Sequence, residues 1–255
     1  MLKLRTNPVI PRFKALLGLP MHKMSRPLGI ALALFLMLSA VSVPVHAAAE
    51  SDPLECLNRT TYSFNRGIDK LFFKPLATSY KQVTPAFLQR GVRNIFKNLD
   101  DVRVSFNDVL QLDFKQASAD LARVAINTTL GIGGVFDVAN DSFGLRKNRQ
   151  DFGMTLAHYG VGSGPYIVLP LFGPSTLRDA FGIGFDRGVD SVANLSHVAT
   201  RNSLSTGKAV DFRASVLSFD DLIVGDEYLF VRGAYLQQRD FAIHGRFPEF
   251  AFEDF

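Results

Sequence analysis

The sequence predicts an all-α fold, and three observations carry that expectation. After residue 50, apolar side chains recur at the three- and four-residue spacing of a helical face. Asp52-Pro53 and Thr84-Pro85 set a capping residue before a proline, the order that opens a helix. Glycines and prolines then interrupt the periodic stretches. No segment beyond residue 50 holds the ~18 uninterrupted apolar residues of a spanning helix, and none alternates over ~10 residues as a barrel strand does.

The 255-residue chain opens with an export pattern. Lys3, Arg5, Arg12, Lys14, Lys23 and Arg26 precede an apolar run from Leu28 to Val43, and no acidic residue appears before Glu50. Small residues at 47–49 follow, as a signal peptidase requires, so residues 1–47 read as a secretory signal peptide. Cleavage is expected after Ala47 or Ala49, with Met21 or Met24 as alternative starts. A retained signal anchor is the competing reading, but the run is shorter than the ~20 residues needed to span. Removing 1–47 takes away six basic residues and no acidic one, moving the formal net charge from +4 to −2. The remaining 48–255 has the length of a single domain and no basic excess to suggest nucleic acid as a partner.

Asp52-Pro53-Leu54-Glu55 resembles a capping box with proline at the first helical position, opening a helix to about Phe73. Its face is Leu57, Phe64, Ile68 and Leu71, and Pro75 lies beyond its end. A second helix opens at Thr84-Pro85 and carries Phe87, Leu88, Val92, Ile95 and Phe96. A third runs from about Asp101 to Gln111 with Val102, Phe106, Val109 and Leu110 on one face. A fourth covers Phe114 to Leu130, with the stripe Ala117, Leu121, Val124 and Ala125. Core packing is the default reading of each stripe. Gly131, Gly133 and Gly134 break the chain before a short turn at 135–139, and Lys147 is expected to be exposed. A short helix follows at Asp151 to Tyr159. Gly160 through Pro174 cannot be regular helix, and Tyr166 to Leu169 reads as extended. Helix resumes at Thr176, recurs from about Val210 to Phe219, and returns from Glu227 to His244.

Chemistry-bearing patterns are missing from this framework. Gly131-Ile132-Gly133-Gly134 lacks the third glycine of a dinucleotide fingerprint, and Pro165 stands where the Gly160-Val161-Gly162-Ser163-Gly164 run needs one. No serine sits in Gly-x-Ser-x-Gly, and His158, His197 and His244 are scattered without metal-ligand spacing. The chain therefore reads as a non-enzyme with no metal and no cofactor. Its 23 Phe and 6 Tyr, against no Trp, exceed what a core alone requires and suit a surface that meets acyl chains.

Asp52-Pro53-Leu54-Glu55-x-x-Asn58-Arg59 followed by Tyr62-x-Phe64-Asn65 resembles the opening signature of the MlaA/VacJ family. Phe152-Gly153-x-Thr155-Leu156, His158-Tyr159-Gly160-Val161-Gly162-x-Gly164-Pro165-Tyr166, Leu169-Pro170 and Gly173 to Asp179 resemble its central block. Tyr228-x-x-Val231-Arg232-x-Ala234-Tyr235 and Asp240-Phe241 resemble its last helix. The resemblance implies a ring-like assembly of amphipathic helices with Gly/Pro-rich connections, lodged in the inner leaflet of the Gram-negative outer membrane, on the periplasmic face. It implies intermembrane phospholipid transport. Mislocalised phospholipid leaves the outer leaflet through an amphipathic channel and passes to a periplasmic lipid-carrier protein, maintaining lipid asymmetry. It implies association with an outer-membrane porin trimer. The alternative is an envelope scaffold that binds porin without conducting lipid. The residues singled out as lipid-path or structural signature are Asn58, Phe64, Asn65, Gly131, Gly133, Gly134, Gly160, Gly162, Gly164, Pro165, Tyr166, Leu169 and Pro170.

Many family members are lipoproteins, whereas the single Cys56 stands well beyond the apolar run, after Pro53-Leu54-Glu55. An unlipidated N-terminus is therefore expected, with amphipathic helices and partner contacts holding the membrane. N-terminal mass spectrometry with fatty-acid labelling checks this: no acyl group is expected, and Cys56→Ser should localise as the parent does. Label that depends on Cys56 would restore the lipoprotein reading.

Overall fold

A computed structural model describes residues 52–245. The expected signal peptide at 1–47 and the outer flanks of the expected 48–255 domain lie outside the described residues, which all fall within one compact unit. Helix dominates, as the periodicity predicts, with one two-stranded hairpin.

α1 spans Glu55–Ile68. It begins later than the capping-box reading requires, after a turn at 53–54 in which the Asp52 carboxylate makes a cap-like bond, accepting from Leu54 N–H at 3.1 Å, and also accepts from the Asn58 amide at 3.0 Å. Nor does helix end before Pro75. Asp69–Phe73 widens into a π turn, and α2 (Lys74–Val83) follows with the proline in its first turn. The helical run is continuous here, Lys74 N–H bonding back to the Asp69 carbonyl, and the wider π turn accommodates a proline that has no N–H to give to the preceding turn. α3 runs unbroken over Ala86–Leu110, merging the expected second and third helices. No glycine or proline lies between Phe96 and Asp101 to separate them. α4 (Phe114–Thr129) is capped by Asp113, whose carboxylate accepts from Gln116 N–H, and α5 (Val138–Phe143) by Asp137. α6 (Phe152–His158) is capped by Asp151.

β1 (Tyr166–Leu169) and β2 (Gly173–Thr176) pair antiparallel with Leu169 opposite Gly173. α7 (Leu177–Asp186) is capped by Thr176. α8 (Val198–Val216) starts well before the expected Val210, from a His197 cap, through a Ser/Thr-rich stretch with no apolar stripe to announce it. A 3-10 segment (Leu217–Leu222) leads to α9 (Glu227–His244), which ends at left-handed Gly245. Among the described residues no helix is long and apolar enough to cross a membrane.

The contacts close a circuit. α1 packs on β1, the hairpin on α7, α7 on α6, α6 on α3, α3 on α8, and α8 on α2, which the π turn joins back to α1. The α6–α7 crossing is close enough that a Cβ on Gly182 would lie 2.6 Å from the Gly153 backbone nitrogen. Two asparagines of α1 fasten the hairpin. Asn58 donates to the Tyr166 carbonyl and accepts from Val168 N–H, and Asn65 donates to the Leu169 carbonyl and accepts from Leu171 N–H.

Core packing of the apolar stripes is overturned at their largest residues, although Ala117 is buried and Val92, Ile95, Phe96, Val102 and Val124 are half-buried. α3 buries Asn98, Asp101, Ser105, Asn107 and Asp108, while Phe87, Leu88, Phe106 and Val109 are exposed. α4 buries Asp120, Arg123 and Asn127 and turns Leu121 outward, 53% exposed. The polar stripe of each helix faces in because its charges find partners there. Arg123, 1% exposed, bonds Asp101, Asp137 and the Leu145 carbonyl. Lys147, expected at the surface, is drawn in to pair with Asp100 and Asp101.

A buried charge stripped of its partner is costly, about 3–5 kcal/mol. Arg123→Met should therefore destabilise the protein by about 3 kcal/mol, since Asp101 keeps only Lys147. Leu121→Ala, on the outer face, should cost less than about 0.5 kcal/mol. Denaturant unfolding of both variants in detergent micelles checks the contrast, and equal losses would contradict the polar-interior assignment.

Candidate functional site

Inside the circuit lies a charged cavity of about 450 Å³. α3 lines it with Asp100 and Arg103, the α6 cap with Asp151, α7 with Asp179 and Asp186, α8 with Lys208, and α9 with Tyr235 and Arg239. Most of these charges are already paired. Arg239 meets both Asp151, at 2.6 Å, and Asp179, at 2.8 Å. Arg103 bridges Asp100 at 2.8 Å and Asp186 at 2.9 Å. Burial by itself would raise the Asp179 carboxyl, but hydrogen bonds and charge from Arg239, with Arg178 added, hold it down at about 2. At Asp186 burial prevails, and the carboxyl is raised despite the Phe152 N–H, the Asn107 amide and Arg103. Tyr235 is also raised by burial and by the Asp179 charge, so its hydroxyl stays a donor to that carboxylate at 2.8 Å. Lys208 is looser, 3.7 Å from Asp190, and Arg187 is exposed at the rim.

Two less polar cavities adjoin the first. One, about 390 Å³, lies among α1, the π turn, the hairpin turn, α8 and α9, and shares Phe172 and Pro174 with the charged cavity. Its wall includes Tyr62, Ile68, Phe73, Phe212, Val216 and Val231. The other, about 490 Å³, is lined by the Gly160–Gly164 turn and the C-terminal half of α9 and shares Arg239. Ser163, Asp240 and His244 line it together, and Asp240 lies 2.7 Å from His244 Nδ1. Among the described residues no hydrogen bond joins Ser163 to that imidazole.

The residues singled out from sequence divide by role. Asn58, 1% exposed, and Asn65 hold the hairpin, and Asn65 also lines the second cavity. Gly160, Gly162, Gly164 and Tyr166 line the third, where left-handed φ angles at Gly160 and Gly164 shape its wall. Pro165 accepts Leu177 N–H through its carbonyl, Leu169 serves as the Asn65 acceptor, and Pro170 is exposed in the hairpin turn. Phe64 is 56% exposed and belongs to the outer apolar surface. Gly131, Gly133 and Gly134 line none of these three cavities.

The profile of the family described as MlaA lipoprotein matches residues 50–242. The chain belongs to the MlaA family. It is 36% identical over 223 residues to "Intermembrane phospholipid transport system lipoprotein MlaA" of Escherichia coli K12, covering 85% of this chain and 88% of that protein. A Haemophilus influenzae protein of the same name is 33% identical over 76% of this chain and 80% of its own length. A Rickettsia bellii relative reaches 38% over 75% of this chain and 76% of its own. A solved structure described as "Structural basis for maintenance of bacterial outer membrane lipid asymmetry" matches with a TM-score of 0.66 at 34% identity, covering 76% of this chain and 99% of that one.

Within this MlaA fold, sequence reasoning missed the charged lining. Asp100, Arg103 and Asn107 do recur at helical spacing opposite the α3 apolar stripe, a signal that was available. Lys208 has none, because it sits in the α8 segment that lacks periodicity. The glycine break after α4 is a tight turn. A Cβ on Gly131 would overlap the carbonyl oxygens of Phe136 and Asn127, both fixed backbone atoms. Gly133 has φ +67° but open space around it. Gly131→Ala should therefore lower the melting temperature more than Gly133→Ala, whose strain is about 1 kcal/mol. Thermal unfolding of the two variants decides it, and equal shifts would count against the overlap.

Proposed function

We propose that the protein conducts phospholipids between the outer membrane and the periplasm. Mislocalised phospholipid leaves the outer leaflet through the joined cavities and passes to a periplasmic carrier, which maintains lipid asymmetry. The observation that carries this reading is the arrangement of polarity. A charged cavity that shares wall residues with apolar ones lies within a body whose outer face is apolar. Exposing an acyl chain to water costs ~0.8 kcal/mol per CH₂, on the order of 12 kcal/mol for a ~16-carbon chain. A conduit must therefore give the chain an apolar wall while the headgroup follows a polar one. Phe73, Phe212 and Val216 supply the first, and Lys208 and Arg187, the looser cations of the charged cavity, suit a phosphate. The shared residues Phe172 and Pro174 stand where the two environments meet.

The outer surface supports a membrane seat. Phe64, Leu71, Phe72 and Leu76 on α1 to α2, Phe87 and Leu88 on α3, and Phe114 and Leu121 on α4 are all exposed. An apolar face of this extent needs a partner, and the inner leaflet of the outer membrane, at its periplasmic face beside a porin trimer, fits. The relatives are named lipoproteins, whereas Cys56 here is exposed within the first turn of α1. We take this chain to be held by its apolar surface without an acyl anchor.

A deletion strain should accumulate surface-exposed phospholipid and become detergent-sensitive, and the intact gene should reverse both. Ala193→Trp adds bulk to the charged cavity without removing any of its ion pairs. Present at normal levels in the outer membrane, it should fail to complement. Full complementation by Ala193→Trp would remove the cavity from the path, and an unchanged surface in the deletion, with no paralogue compensating, would leave an envelope scaffold.

A further inference from the structure

Asp108 of α3 and Asp120 of α4 meet across the seam between the two helices, 2% and 0% exposed. Their carboxyl groups lie within hydrogen-bonding reach of each other. Asn148, from the segment 144–151 that lies over the seam, donates its amide to both Asp108 oxygens at 3.2 Å and to Asp120 Oδ2 at 3.4 Å. Gln116 adds a bond to the same Asp120 oxygen at 3.3 Å. Asp120 Oδ1 is buried and has no donor at all. The bases of the surrounding elements are spent elsewhere, Arg123 on Asp101 and Asp137 and Lys147 on Asp100 and Asp101. Among the described residues neither Asp108 nor Asp120 forms an ion pair.

Two buried carboxylates in contact do not both ionise without a cation between them. A neutral carboxyl removes one charge and provides the donor the pair lacks. We infer that Asp108 and Asp120 hold one proton between them in the folded protein, and that removing it loosens the α3–α4 seam and the 144–151 segment over it. This proton site stands apart from the charged cavity, but the segment it anchors ends at Asp151, which lines that cavity and binds Arg239.

The surroundings set where the proton leaves. Burial is the largest influence on Asp108, followed by the Asp120 hydrogen bond and charge, and together they raise it to about 7 against the modest opposing effect of Asn148. Asp113, at the α4 cap, adds a further negative charge. Toward α6 the neighbouring contact is neutral, Thr155 donating to Asn107. Between 3.8, the ordinary carboxylate value, and about 7, the folded chain thus binds a proton that the unfolded chain has released. Stability must then fall as pH rises through that window and level off above it.

The test uses the full mature chain in detergent micelles, with thermal unfolding followed between about pH 5 and about pH 8. Relative to wild type, Asp108→Asn should flatten the fall with pH and raise the melting temperature at the alkaline end by about 3 °C or more. Asp141→Asn, an exposed control, should keep the wild-type slope. Infrared spectra of the wild type should carry a protonated-carboxyl band at about pH 6 that is lost by about pH 8. Asp120→Asn provides the second variant if Asp108→Asn fails to fold. A wild-type slope in every folded variant, or no protonated-carboxyl band, would overturn the proposal. Stabilisation by Ca²⁺ or Mg²⁺ that disappears with Asp108→Asn would also overturn it, replacing the proton with a metal ion.

Discussion

The buried ion pairs of α3 and α4 are the constraint on which the rest of the structure depends. Arg123 reaches Asp101, Asp137 and the Leu145 carbonyl from the middle of α4, and Lys147 closes the same group from the following segment. None of these charges tolerates burial alone. Once they are paired inside, the opposite face of each helix must look outward, and that face holds phenylalanine and leucine. In water such a surface is a liability. Against acyl chains it is favourable, so one set of ion pairs settles both the polar interior and the apolar exterior.

The same pairs explain how a mostly helical chain encloses space without a large apolar core. Buried apolar residues are few and mostly alanine and valine among the described residues, and the one cluster of them, Tyr166, Val168 and Tyr228, sits where α1, the hairpin and α9 meet. There Asn58 and Asn65 bond the hairpin backbone, and Asp52 takes the Tyr228 hydroxyl. Hydrogen bonds with fixed partners thus replace part of the packing that would otherwise fill the interior. They are directional, so they hold elements at set distances while leaving cavities open between them.

Helix existence was legible in the sequence, because periodicity and the Asp, Thr and Pro signals act locally. Asp113, Asp151 and Thr176 cap their helices, whereas Thr84, expected to open a helix, ends α2 and leaves α3 without a side-chain cap. Two kinds of feature were not legible. Periodicity finds the apolar face of α3 and α4 but carries no sign for which face is inside, since that depends on whether water or lipid surrounds the protein. Tertiary context also overrode a local signal at Pro75, absorbed by a π turn, while α8 extends back to its His197 cap through an exposed Ser/Thr-rich start that no apolar stripe announces. Of the candidate site, the Gly160–Gly164 wall and the two asparagines were found through family resemblance. The charged lining drawn from α3, α6, α7, α8 and α9 was not, because no local pattern joins residues from five helices.

The balance of charge in that lining bears on how a conduit releases what it takes in. A cavity with free arginines would hold a phosphate tightly, and tight binding of the passing species slows its exit just as a barrier slows its entry. Here Arg103 and Arg239 are each held by two carboxylates, so that on the proposed function the weaker sites Lys208 and Arg187 are the ones left to meet a headgroup. Pairing also keeps the cavity polar and hydrated, so that a headgroup exchanges one set of polar contacts for another. On the proposed function the acidic residues are therefore as much a part of the path as the basic ones, since they keep the cations from becoming a trap.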